Sequence, residues 1–187
     1  NSGLIVAGIV LAGMMAVSIH GNATHFGIIH PGPIGLALAL PGLLVTLVAG
    51  VAGGLFARLL LASARGNPLG KLSAWRTGRP VLFAAVCGLL VAAIGIASQG
   101  ATFGSGTVAT RAMLEGSSDV APAFVAFKYV ATWLTVWSGV PAGIFAPSLA
   151  IGAGIGHDIA QLLHYPHAPA LIALGMVGFL AAATQAP

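Results

Sequence analysis

Trp137-Ser-Gly-Val-Pro-Ala-Gly-Ile-Phe-Ala-Pro-Ser-Leu-Ala-Ile-Gly-Ala-Gly-Ile-Gly156 decides how this chain is read. Helix breakers at 138–143 run into an apolar, glycine-spaced stretch, and no charged residue occurs anywhere over 129–157. Where no water can satisfy a backbone group, helix is the default, so irregular chain in such a setting signals a broken or re-entrant helix at membrane depth. Pro147 fits the first turn of the helix that follows, which puts Gly143, Ile144 and Phe145 at or just before its N-terminus. Amide N–H groups there have no intrahelical partner. Together with the positive end of the helix dipole, about half an elementary charge, they make a site for an anion without any basic side chain. The competing reading is a kinked helix whose amides are satisfied by neighbouring carbonyls.

The rest of the chain supports a membrane setting. Among 187 residues there are only 7 Lys+Arg and 3 Asp+Glu, 58% are apolar, and the mean hydropathy is +1.01. A soluble domain carries about a quarter charged residues, so a water-facing globule is excluded, and so is a disordered chain. The one cysteine, Cys87, leaves no intrachain disulfide framework. Asp, Glu, Lys and Arg are missing from 1–57, 80–110, 129–157 and 159–187. A charge at the centre of a spanning helix costs roughly 2.5–3.5 kcal/mol, which accounts for that segregation. Taking about 17–25 apolar residues as a span, six candidates follow: 3–19, 35–61, 80–98, 122–138, 145–164 and 169–186. The second exceeds what a bilayer needs and must tilt, or break near Pro41-Gly42. The expected fold is therefore all-α, a polytopic membrane helix bundle.

Helices in lipid associate through close backbone approach at small residues. Four stripes at four-residue spacing read as packing faces: Gly8, Ala12 and Ala16; Thr46, Gly50 and Gly54; Ala84, Gly88 and Ala92; Ser148, Gly152 and Gly156. Five of the seven basic residues (Arg58, Arg65, Lys71, Arg76 and Arg79) fall in one segment, which the positive-inside rule makes cytoplasmic. With no basic face on a soluble domain, nucleic acid is not an expected partner. The chain starts without Met or a basic n-region and stops on a proline suited to a helix's first turn, so it reads as an internal fragment of a larger protein.

The 143–147 segment Gly-Ile-Phe-Ala-Pro, in its long context, resembles the second selectivity-filter motif of the CLC chloride channel and transporter family. Gly104-Ser-Gly-Thr-Val-Ala-Thr-Arg-Ala-Met-Leu-Glu-Gly116 and the closing Ala181-Ala-Ala-Thr-Gln-Ala-Pro187 resemble it in order and spacing, so the likeness runs along essentially the whole chain. The resemblance implies an inverted-repeat fold, of which 1–187 supplies a partial transmembrane domain: the last helix of the first repeat and most of the second. It implies chloride as the transported ion, moved by a voltage-gated channel or by a proton–chloride exchanger. The backbone amides of Ile144 and Phe145 would contact the ion, and Gly143, Ala146 and Pro147 would complete the filter motif. The family's filter serine, gating glutamate and pore tyrosine have no counterparts here; Gly104-Ser105-Gly106 is followed by Thr107 and Val108, not by the family's Ile-Pro. The resemblance further implies a homodimer packed through surfaces that include the first helix, in a bacterial inner or other plasma membrane, with no cofactor.

Other residues carry less. Lys128 lies inside a span and is read as snorkelling or paired with Glu115 in preference to sensing anions. His20, His25 and His30 lack the spacing and carboxylate support of a metal site. His157 and Asp158 read as a polar helix end rather than a proton relay. The 66–73 stretch fails as a nucleotide loop, lacking one spacer and placing Leu72 where a magnesium-binding hydroxyl belongs. An intramembrane enzyme would need a nucleophile or carboxylate pair within the bundle; with three acidic residues and none at a helix centre, the chain is not expected to be one. The alternative to transport is a structural or oligomerisation segment of another polytopic transporter, without its own anion site.

Overall fold

A computed structural model describes residues 2–21, 35–64, 70–116 and 123–185. They form helices and no strands: α1 (Ser2–His20), a 3₁₀ turn (Leu36–Leu38) leading into α2 (Ala39–Ala64), α3 (Gly70–Gly78), α4 (Pro80–Ala97), α5 (Thr107–Leu114), α6 (Phe124–Trp137), α7 (Phe145–Leu162) and α8 (Ala168–Thr184). Each expected span corresponds to a helix. Among the described residues two helices are long and apolar enough to cross a membrane, Leu36–Ala64 and Pro80–Ala97, and Val6–Ile19, Phe124–Trp137 and Ala168–Thr184 are shorter apolar helices.

Two expectations change. α2 does not break at Pro41-Gly42: Pro41 lies in its first turn, where a missing N–H costs nothing, and the helix continues unbroken. Its 26 residues reach about 39 Å, beyond a hydrocarbon core of about 30 Å. Arg58 lies in this helix, inside the expected 35–61 span. The stretches between the expected spans, 62–79 and 99–121, contain the short helices α3 and α5.

α7 is the centre of the bundle. Its residues 150–157 are all buried, and it contacts α2, α5, α6 and α8. A helix covered on every side must be apolar or small all round, which the Ser-Leu-Ala-Ile-Gly-Ala-Gly-Ile-Gly run at 148–156 provides. The stripe Ser148, Gly152 and Gly156 packs as expected. A Cβ on Gly152 would collide with the Gly175 carbonyl, and one on Gly156 with the Leu171 carbonyl, so α7 and α8 touch backbone to backbone. On α2 the face turned to α8 is Val45, Ala49 and Gly53; Thr46 approaches Gly178, but nothing lies within 4 Å of a Cβ on Gly50 or Gly54. On α4 the buried positions are Phe83, Cys87 and Gly95, not Ala84, Gly88 and Ala92. α1 contacts no other described helix, and Gly8 on its surface meets nothing.

Aromatic side chains close one end of the bundle. Trp133 and Trp137 stack at 4.9 Å, Phe83 meets Trp137 edge-on at 5.0 Å, and Trp75 of α3 meets Phe83 at 5.4 Å. Trp133 Nε1 donates to Ser63 Oγ at 2.9 Å, and Arg76 donates to the Ser63 carbonyl at 2.7 Å. α3 is thereby anchored to the last turn of α2 beside the C-terminus of α6, where a cation complements the helix dipole.

Candidate functional site

α6 and α7 are separated by seven residues, 138–144, with no helix. α6 ends on Ser138 and then Gly139, whose φ of +84° is the left-handed conformation that terminates helices and favours glycine. Ser138 Oγ donates to the Thr135 carbonyl at 2.6 Å and accepts from Val140 N–H at 3.2 Å, fixing the exit of the chain. The segment then runs without regular structure to Ile144, the N-cap of α7, and Ser148 N–H donates to the Ile144 carbonyl at 3.0 Å as the helix's first closing bond. Pro147 sits in that first turn, as its chemistry requires.

No side chain caps α7, and the amides of Ile144, Phe145 and Ala146 have no acceptor among the described residues. Gly143 is exposed, has no left-handed φ, and a Cβ there would meet nothing within 4 Å. All five residues of the 143–147 segment except Ile144 line a cleft of about 570 Å³, facing α6 (Lys128, Ala131, Thr132 and Thr135) and the 102–105 loop. The two threonine hydroxyls donate back into their own helix, to the carbonyls of Lys128 (2.7 Å) and Ala131 (2.8 Å). No acidic residue lines the cleft, and Lys128 is its one charged lining residue. The arrangement combines unpaired N–H donors, a helix N-terminus and a cation, the chemistry of a small anion.

Lys128 is neither snorkelling nor paired with Glu115. It is 2% exposed, and Nζ donates to the carbonyls of Thr102 at 2.8 Å and Gly104 at 2.7 Å. Glu115 instead accepts from Arg111 one helical turn away, at 2.9 Å, with both side chains more than half exposed. No local sequence pattern marks the lysine's place, because both its acceptors lie on a loop 24–26 positions earlier in the chain.

His157 also departs from its expected role as a polar helix end. It is 7% exposed, its Nε2 lies 3.2 Å from Gln161 Nε2, and its Nδ1 is 3.6 Å from the outward-facing Asp158 carboxylate. The described residues contain no cluster of metal-ligating side chains; His25, His30 and the His20 side chain lie outside them, as do Asp119 and the first half of the rejected nucleotide loop.

A sequence profile described as voltage-gated chloride channel matches residues 1–187. No curated protein and no solved structure matches the chain. The profile spans every helix described above, the uncapped start of α7 included, and the chain belongs to the voltage-gated chloride channel family, a family of integral membrane proteins that transport chloride and are not enzymes.

Proposed function

We propose that the chain forms part of a chloride pathway in which the ion is held by the backbone amides of Ile144 and Phe145. The observation that carries this is the start of α7: an uncapped helix N-terminus whose first residues line a cleft without a single carboxylate. Amide donors suit transport because a full cation in direct contact would hold the ion against release, whereas partial charges let it leave. Gly143 and Pro147 serve the geometry, one by leaving the amides uncovered and the other by starting the helix.

The test is chloride efflux from liposomes containing the full-length protein, with proton movement recorded alongside. Chloride-driven proton pumping identifies an exchanger, and a chloride current without protons identifies a channel. Absence of any anion flux from correctly assembled protein refutes the pathway and favours a purely structural segment. We further propose that α1 packs against a second copy of the chain. It contacts no other described helix and presents Val10, Leu11, Met14 and Met15 outward. On this reading the membrane is a bacterial inner membrane, the basic segment ending at Arg79 faces the cytoplasm, and the chain supplies the last helix of one repeat and most of the next.

A further inference from the structure

The buried cation of the cleft has no carboxylate partner among the described residues. Buried charges are normally paired, since an ammonium taken out of water loses several kcal/mol that only close partners restore. Lys128 has two partial partners, the Thr102 and Gly104 carbonyls, and its third N–H has no acceptor among the described residues. Room for it is reserved. Gly106 caps the start of α5 with φ +86°, and a Cβ there would lie 3.1 Å from Lys128 Cε and against the Ala150 methyl. The glycine therefore admits the lysine stem between α5 and α7. Without the ammonium, two carbonyl oxygens on the wall opposite the 143–147 segment would present negative partial charge to the cleft, which repels an anion.

We propose that Lys128 determines the anion preference of the cleft: its ammonium masks the Thr102 and Gly104 carbonyls and supplies the positive charge that a small monovalent anion neutralises on arrival. It is a positioning and specificity residue, acting alongside the amides of α7. The inference rests on the chloride pathway proposed above.

The test uses the full-length protein in liposomes with chloride as the probe, comparing native protein with Lys128→Met, Lys128→Gln and Lys128→Arg. The expected result is about a tenfold rise in the chloride concentration giving half-maximal flux for the assembled neutral variants, equivalent to about 1.4 kcal/mol. Selectivity for anions over cations should fall in parallel, while Arg preserves both. Lys128→Met may be replaced by Lys128→Gln where it does not assemble, since Gln keeps one hydrogen bond without the charge. Native half-saturation and selectivity in an assembled neutral variant overturn the proposal. So does failure of both neutral variants to assemble, which assigns the lysine to the scaffold alone. Absence of chloride flux from the native protein instead refutes the pathway, so the two failures are distinguishable.

Discussion

Replacing Gly143 by valine separates the chemistry of the site from the stability of the fold. A Cβ at this position meets no atom within 4 Å, and the backbone is not left-handed, so the side chain has room and causes no strain. Stability should stay within about 0.5 kcal/mol of native, as for a substitution away from packed features. The branched side chain nevertheless stands on the residue preceding the Ile144 amide, at the edge of the cleft. Obstructing one charge-assisted hydrogen bond there removes about 1.5–3 kcal/mol of anion binding. At about 1.4 kcal/mol per decade, affinity drops about ten- to hundredfold. The assay pairs chloride efflux from liposomes, titrated in chloride, with thermal unfolding of the full-length variant in detergent. An unchanged melting temperature with weakened chloride dependence is the expected outcome. Native chloride dependence in the folded variant refutes the amide site, and parallel loss of flux and melting temperature refutes the claim that Gly143 is structurally silent.

The glycines of the α7–α8 contact should behave in the opposite way: Gly152→Val drives a side chain into the Gly175 carbonyl and costs about 1–3 kcal/mol or more, read as a lower melting temperature. Trp133→Phe removes the donor to Ser63 Oγ while keeping most of the aromatic stack, so a loss of about 1 kcal/mol is expected by the same measurement, with chloride dependence unchanged. Glu115→Gln breaks only an exposed one-turn pair with Arg111, and unfolding should shift by less than about 0.5 kcal/mol.

Much of this molecule was readable in its residues because membranes punish exceptions. Apolar runs of spanning length located six helices, Pro80 and Pro147 marked the first turns of α4 and α7, and Ser148, Gly152 and Gly156 marked a close helix contact. What escaped were features set by three-dimensional neighbours. α5 has eight residues and a polar Thr107 and Arg111, too short and too mixed to stand out beside the Gly-Ser-Gly turn that precedes it. α3 is amphipathic and basic, and its stability comes from Trp75 and Arg76 reaching α4 and α2. The stripes on α2 and α4 misled because small residues occurred on several faces of each helix, and only the partner decides which face is used. Lys128 looked like an interfacial residue because its acceptors, the Thr102 and Gly104 carbonyls, belong to a loop 24–26 positions earlier in the chain. The breakers at 138–143 and Pro147 marked where α7 begins, but the cleft beside that start depends on how α6 lies across it, which no local pattern encodes.

The contact between Gly152 and Gly175 has a mechanical consequence. Two helices locked through their main chains, with no side chains between them to change rotamer, translate as a single strut. α8 is in turn held by α2 through Gly53, so three helices share one rigid frame. A change in the reach of the Ile144 and Phe145 amides then falls to the seven-residue connection 138–144, where no helical hydrogen bonds resist it. The place where this frame can bend lies in front of α7, not within it.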